Sequence, residues 1–317
     1  MQVGDCCSTY CDTLLGVPQG GVLSPKLFNV YINDIVNVSA TLQFLLFADD
    51  TTCYMSGPHL ADLVTSMNYE LAKLEKWLKL NRLSLNVGKT NFIVFGKNQD
   101  FEGAVLFGKM PIKQVLSTKF LGVHIDKDLN WNEHLKVIKC KLSKSIAMLC
   151  RAKQFVTTVG LRALYECMFV SHLTYCCVVW GNYYQSKLEP IRILQRKAIR
   201  IVYNLNRRCD IKQACILYKV LQLDELVKLA TGCLMFNAYK ERLPKRLQAA
   251  FVRCSVNAHY SVRRERNFRI LYVRTTKKSL CFSSTGVRLW NSLPGVLKSS
   301  VSYFSFKRAY KKVLLGA

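Results

Sequence analysis

Two adjacent aspartates, Asp49 and Asp50, stand between apolar runs in the stretch FLLFADDTTCYM at 44–55, and this stretch narrows the fold more than any other. Phe44 to Phe47 and Thr51 to Tyr54 carry the aromatic, Leu and Thr residues that suit strands, and an acidic pair suits the turn between them. Neighbouring carboxylates in a tight turn repel each other unless a cation neutralises them, which points to a divalent metal site. By itself the pair also fits a plain Asp-Asp turn without chemistry, because Asp is a common turn residue.

The segment ahead of it, GVPQGGVLSPKLFNVYINDI at 16–35, is a Gly/Pro/Gln loop followed by Ser24-Pro25 and a long apolar run. Ser at a helix cap and Pro at the first helical position predict a helix from here to about Val36. Leu27, Phe28, Tyr31, Ile32 and Ile35 recur at helical spacing and would bury one face. A second helix is expected at about 59–81, with Leu60, Leu63, Val64, Met67, Leu71, Leu74 and Leu78 on one side. Short strands are expected near 90–95, 104–107 and 119–125. Residues 131–205 are expected to form helices broken near Gly160 and Gly181, with further helices at about 210–220, 224–242 and from about 302. The polar, basic stretch 253–285 lacks periodicity and is expected to be disordered or ordered by nucleic acid.

These motifs together resemble the reverse transcriptases of non-LTR retrotransposons, jockey-like elements above all. The segment GVPQG…LSP…LF…YINDI is similar to that family's template- and nucleotide-contacting loop and helix, and FADD to its metal-binding hairpin. Trp77 to Asn81 followed by LSLNVGKTNFIVFG at 83–96 resembles the segment whose lysine faces the incoming triphosphate. FLGVHID at 120–126, with LNW after it, resembles the primer-grip hairpin and the entry to the thumb. Four motifs in one order over about residues 1–135 form a specific signature, unlike any single one. WNSLP at 290–294 and SFKRAYKKVLL near the end resemble tails common in these elements. The resemblance implies metal binding and catalysis by Asp49 and Asp50, and a template and nucleotide pocket lined by Pro18, Gln19, Gly20, Phe47 and Ala48. It also implies an approach of Lys89 to the triphosphate and a primer grip at Leu121 and Gly122. Read without the motifs, Lys89 is a solvated turn lysine beside Gly88. Mg2+, an RNA template, a DNA primer or target and deoxynucleoside triphosphates are the implied cofactor and partners.

The departures are equally specific. Gly21 and Lys26 replace a common Ser and Leu at exposed turns. In the family a third aspartate stands on a strand several tens of residues before the PQG loop. Here fifteen residues precede Gly16, and their carboxylates are Asp5 and Asp12, neither in an apolar strand. Two-metal nucleotidyl transfer holds two ions about 4 Å apart, and two carboxylates on one hairpin do not complete two octahedral shells. The expectation is therefore an N-terminally truncated enzyme without fingers, first metal-binding strand or upstream endonuclease. The alternative is a non-catalytic nucleic-acid-binding remnant of a retrotransposon. A sheet edge left uncovered beside the hairpin would expose Leu45, Phe47, Phe92 and Val94 and favour self-association.

Charge divides the chain. Residues 1–130 hold 11 Lys/Arg against 12 Asp/Glu, and the totals of 46 and 20 leave 35 against 8 for the remainder. One candidate nucleic-acid-binding helix carries Lys136, Lys139, Lys141 and Lys144, another Arg192, Arg196, Lys197 and Arg200, and a run holds Arg263, Arg264, Arg266 and Arg269. Tyr183, Tyr184, Tyr203, Tyr260 and Phe268 lie among these charges, as base-stacking or core residues. No run of eighteen uncharged apolar residues occurs, so no membrane span is expected, and residues 1–20 lack the pattern of a secretory signal. The 14 cysteines are scattered without metal-ligand spacing and are expected to be reduced and mostly buried, in a nuclear or cytoplasmic protein. The expected fold is α+β: a partial right-hand polymerase palm over 1–126, a helical thumb over 127–206 and a basic helical C-terminal region over 207–317.

Overall fold

A computed structural model of the chain describes residues 2–7, 16–17, 20–96, 103–254 and 266–316. The chain divides into two compact units, Met1–Leu116 and Ser117–Ala317. This division falls at 116/117, beside the three-part organisation over 1–126, 127–206 and 207–317 set out from the sequence. The charge division survives the shift: the first unit stays near neutral and the second carries the basic excess.

In the first unit, β1 (Gln2–Val3) pairs antiparallel with β2 (Cys6–Cys7). Helix α1 (Ser24–Ile32) has Pro25 in its first turn and continues as a 3-10 turn over Asn33–Val38. A hairpin follows, β3 (Gln43–Phe47) and β4 (Asp50–Tyr54), and then the 21-residue α2 (Leu60–Leu80). Ile32 and Ile35 from the first segment meet Leu71 and Leu74 of α2 in one core, with Phe44 and Cys53 of the hairpin packed against it. Asn68 pins α2 to the chain beyond it: its amide donates to the Ala104 carbonyl at 3.0 Å and its carbonyl accepts from the Leu106 N–H at 2.8 Å. The remaining strands are two-residue pieces: β5 (Asn91–Phe92) runs parallel to β8 (Lys113–Gln114), and β6 (Leu106–Phe107) pairs with β7 (Met110–Pro111). Among the described residues the β3–β4 hairpin forms a sheet of two strands only. Leu45 and Phe47 are exposed, whereas Phe92 and Val94 are half-buried. The outer face of α1, with Leu23, Leu27 and Val30, is exposed as well.

The second unit opens on the hairpin β9 (Ser117–Phe120) and β10 (Val123–Asp126), followed by the 21-residue helix α3 (Asn132–Ala152). Leu135, Ile138, Leu142, Ile146 and Leu149 of α3 face α4 (Thr158–Tyr165) and α7 (Gln185–Val202) in a core around Phe169, Leu173 and Trp180. Helical breaks fall near Gly160 and at 181–184, as the sequence led one to expect, and a further one lies between them. The first falls at 153–157, with Thr157 capping α4 through the Gly160 N–H, so Gly160 lies inside the first turn. From α4 the chain passes through a π-helical turn, Glu166–Val170, where the Met168 carbonyl accepts from the Ser145 hydroxyl at 2.9 Å. The further break separates α5 (Ser171–Thr174) from α6 (Cys177–Trp180), where Cys176 takes a positive φ of 49°. The Tyr175 carbonyl freed there accepts from the Trp180 indole at 3.0 Å. Gly181 ends α6 and admits the Val227 side chain: a Cβ on it would lie 2.4 Å from Val227 Cγ2.

Helices α8 (Ile211–Leu217) and α9 (Leu223–Tyr239) lead into a second core. Around it lie α10 (Lys245–Gln248), α11 (Thr276–Leu280), α12 (Phe282–Ser292), α13 (Gly295–Lys298) and α14 (Tyr303–Leu314). The expectation of disorder over 253–285 is corrected for its described residues. Arg253 pairs with Phe268 in an antiparallel bridge, Phe268 is buried, and 276–292 is helical but for one residue. The reason lies in Trp290 and Asn291, more than twenty residues on. The Trp290 indole donates to the Arg266 carbonyl at 2.8 Å, and the Asn291 amide spans both polar groups of the Phe268 backbone. Tyr260, Arg263 and Arg264 lie outside the described residues. Tyr183 is buried, Tyr203 is half-buried and stacked on Tyr218 at 3.9 Å, and Tyr184 is exposed. The cysteines also depart from expectation: Cys167 and Cys176 join Cys6, Cys7, Cys140, Cys150 and Cys281 at the surface, whereas Cys177, Cys215 and Cys233 are buried. No helix among the described residues is long and apolar enough to cross a membrane.

His134 sits in the wall between the hairpin and the core. Its Nδ1 accepts from the His124 N–H at 3.3 Å and its ring meets the Trp180 edge at 5.6 Å. Burial, with His124 and Lys141 adding to it, pushes its pKa down to about 4 from 6.5. Between these two values the unfolded imidazole holds a proton that the folded one refuses, so unfolding takes up a proton there. Thermal melts are therefore expected to show the second unit losing stability as pH falls from about 6.5 to about 4, and His134→Gln is expected to flatten that dependence.

Candidate active site

The hairpin tip is built by register. Phe44 faces Cys53 and Phe47 faces Asp50, so the connecting turn is Ala48-Asp49, and Asp50 is the first residue of β4. Ala48 takes a positive φ of 50°, as primed hairpin turns require of their first central residue. The Phe44/Cys53 pair anchors the base in the core, whereas Phe47, Ala48, Asp49 and Asp50 are all exposed. Both carboxylates thus reach solvent at the hairpin tip, Asp49 from the turn and Asp50 from the start of β4, an arrangement that can ligate a hard cation through oxygen. Among the described residues no group of three or more His, Cys, Asp or Glu side chains is placed to hold a metal ion.

Gly20 is exposed at a positive φ of 89°, and Pro18, Gln19 and Asp12 lie outside the described residues. Lys89 is exposed in a turn tied by Asn86, whose carbonyl and side-chain oxygen both accept from the Lys89 N–H, at 3.1 and 3.2 Å. It makes no ion pair with Asp49 or Asp50 among the described residues.

In the second unit, Leu121 and Gly122 form the two-residue turn between β9 and β10, with φ of 44° and 84°. Two positive values in succession are the signature of a type I′ turn. The Tyr175 hydroxyl donates to the Leu121 carbonyl, and a Cβ on Gly122 would sit 3.1 Å from the Tyr175 ring. Gly122→Ala is expected to destabilise the unit by about 1–2 kcal/mol through left-handed strain, with the ring contact adding to it. Denaturant unfolding of the variant measures this.

The basic residues fall into two groups. Arg192 donates to Asp224 at 2.7 and 3.0 Å and to Glu189 at 3.3 Å, and its side chain is only 15% exposed. Arg196 is paired with Glu189 at 2.5 Å, and Arg200 is half-buried. Lys197 and Lys139 are exposed without an ion pair among the described residues, and exposed Lys136 pairs with Glu133 at 2.6 Å. Arg192 thus ties α7 to α9. Arg192→Ala is expected to cost about 1–2 kcal/mol, the scale of charged hydrogen bonds with partly solvated carboxylates. The same variant should leave the salt dependence of any nucleic-acid binding unchanged.

Residues 5–125 match the model of the reverse transcriptase (RNA-dependent DNA polymerase) family. The similarity extends further along the chain. A probable RNA-directed DNA polymerase from transposon X-element of Drosophila melanogaster is 24% identical over 202 residues, which cover 62% of this chain and 22% of that protein. The RNA-directed DNA polymerase from mobile element jockey of Drosophila funebris is 25% identical, over 62% of this chain and 23% of its own length. A Pol polyprotein from the R1 2 element of Nasonia vitripennis is 26% identical, over 59% of this chain and 48% of its own. The chain therefore spans less than a quarter of the first two relatives. No solved structure matches it.

Proposed function

We propose that this chain is the part of a retrotransposon reverse transcriptase that carries the metal-binding hairpin and the nucleic-acid-gripping helical unit. The observation that carries this reading is the hairpin tip presenting Asp49 and Asp50 to solvent within the family-matched segment. When bound, Mg2+ would supply the charge that stabilises the leaving pyrophosphate and activates the primer hydroxyl. Asp49 and Asp50 would hold it. Phe47, Ala48 and Gly20, with Pro18 and Gln19, would line the template and nucleotide pocket, Lys89 would approach the triphosphate, and Leu121 and Gly122 would support the primer. RNA template, DNA primer and deoxynucleoside triphosphates are the partners on this reading. A Mn2+ titration followed by NMR tests it: resonances of Phe47 to Thr51 should broaden at millimolar Mn2+, and Asp49→Asn with Asp50→Asn should abolish the effect. Hairpin signals indifferent to Mn2+ would refute the metal assignment.

A second reading has its own support. With two carboxylates at the hairpin and a strongly basic second unit, the chain taken alone would bind nucleic acid without copying it.

A further inference from the structure

Past the antiparallel bridge of Arg253 with Phe268, the chain runs on through Ile270, Leu271, Tyr272 and Val273 without a turn or bend. Residues of this kind suit a strand, yet among the described residues no strand lies beside them. The last backbone bond of the pairing joins the Arg269 N–H to the Val252 carbonyl at 2.8 Å. Beyond it, no N–H or C=O group of 270–273 has a hydrogen-bond partner among the described residues. The side chains are open as well: Ile270 is 62% exposed, Leu271 54% and Tyr272 89%. At Phe268 the Asn291 side-chain amide takes the place of a neighbouring strand, donating to the carbonyl at 2.8 Å and accepting from the N–H at 3.0 Å. Alternate residues of a strand present their backbone groups to the same edge. Ile270 and Tyr272 therefore continue the edge that Asn291 begins, and among the described residues nothing follows it there.

Charge selects the occupant. Arg269 and Arg274 flank the four residues, both exposed and neither in an ion pair among the described residues. A second copy pairing over the same four residues would set Arg269 against Arg274 when antiparallel, and each arginine against its own copy when parallel and in register. Like charges directly opposite destabilise a strand pair. A single-stranded nucleic acid gains from stacking on aromatic faces, but three of the four residues are aliphatic, and a phosphodiester backbone has no N–H for the free carbonyls. We propose that residues 270–273 form a docking edge for an extended segment of another protein. That segment adds a strand beside Ile270 and Tyr272, lays apolar residues along the four, and carries a carboxylate at each end for Arg269 and Arg274. Main-chain bonds supply the affinity and the two end charges choose the partner. The edge goes beyond the polymerase reading and does not depend on it.

Anisotropy of a fluorescein-labelled peptide, Glu-Val-Thr-Ile-Val-Glu, titrated with the full 317-residue chain tests the proposal, with the same peptide ended by Lys as control. The Glu-ended peptide should bind about tenfold more tightly than the Lys-ended one, and Arg269→Glu/Arg274→Glu should reverse that order. Tyr272→Pro removes an N–H from the proposed edge, whereas Leu271→Pro removes one from the opposite edge. Both positions are exposed with unbonded N–H groups, so neither variant takes a contact from the fold. The first should weaken the Glu-ended peptide roughly tenfold and the second far less. Hydrogen exchange read by mass spectrometry gives a second readout: the segment 269–274 should exchange freely in the chain alone and slow when the peptide is bound. Amides already slow in the free chain overturn the proposal, since the edge is then filled. So do equal losses in the two proline variants, binding indifferent to the end charges, and no binding of the Glu-ended peptide at millimolar concentration. Slowing by oligouridylate but not by the peptide would make the edge a nucleic-acid surface, and a dimer that Tyr272→Pro dissolves would make a second copy the occupant. Either result overturns the proposal.

Discussion

A DNA primer annealed to an RNA template is expected to remain unextended when the 317-residue chain is supplied with Mg2+ and deoxynucleoside triphosphates. The hairpin offers Asp49 and Asp50, and among the described residues no third ligand joins them. Two-metal displacement depends on clamping both the attacking and the leaving oxygen, and electrostatic stabilisation of that kind supplies most of the barrier reduction in such reactions. A site able to seat one ion loosely would forfeit several orders of magnitude in rate. Extension that requires Mg2+ and disappears in both Asp49→Ala and Asp50→Ala would refute this. It would mean that a carboxylate outside the described residues completes the centre.

Residues 117–317 are expected to bind duplex nucleic acid with little sequence preference and a steep dependence on salt, and residues 1–116 are expected not to bind. Neutralising Z phosphates gives a log–log slope of about −0.9Z on duplex DNA, so a surface making about six such contacts loses roughly a thousandfold in affinity between about 50 and 200 mM salt. The fragment must begin at Ser117. A cut at 127 would remove the β9–β10 hairpin, whose Val123 is buried and whose His124 N–H is bonded to His134 on α3. A flat salt response, or comparable binding by the first unit, would count against the assignment.

The parts of this fold that were legible in the sequence are those set by local pattern. Leu71 and Leu74 fall on the buried side of α2, and the carboxylate pair falls at the tip of a two-stranded hairpin, because period and turn chemistry act over a few residues. What escaped depends on distant partners. Arg192 looks like a surface nucleic-acid contact until Asp224, 32 residues on, takes up its guanidinium. The helix breaks at Cys176 because the Trp180 indole satisfies the carbonyl released there, and Gly181 serves close packing against Val227. The segment before Phe268 has no periodicity to read, and its order comes from Asn291 and Trp290. For the site, the hairpin and the Leu121-Gly122 turn were legible as motifs.

The distribution of thiols makes the chain its own clock. Each hydrophobic core shelters at least one: Cys53 packs against the first unit's core, Cys177 and Cys215 lie in the core around Trp180, and Cys233 lies in the core around Trp290. Burial raises all four pKa values, that of Cys53 to about 11 and that of Cys177 to about 12. They react only as fast as their surroundings open, since the thiolate is the nucleophile and local opening exposes it. The exposed cysteines should label at once, setting the zero of time. The delayed labels, resolved peptide by peptide in a mass spectrometer, would then time the breathing of the three cores separately, without a single engineered probe.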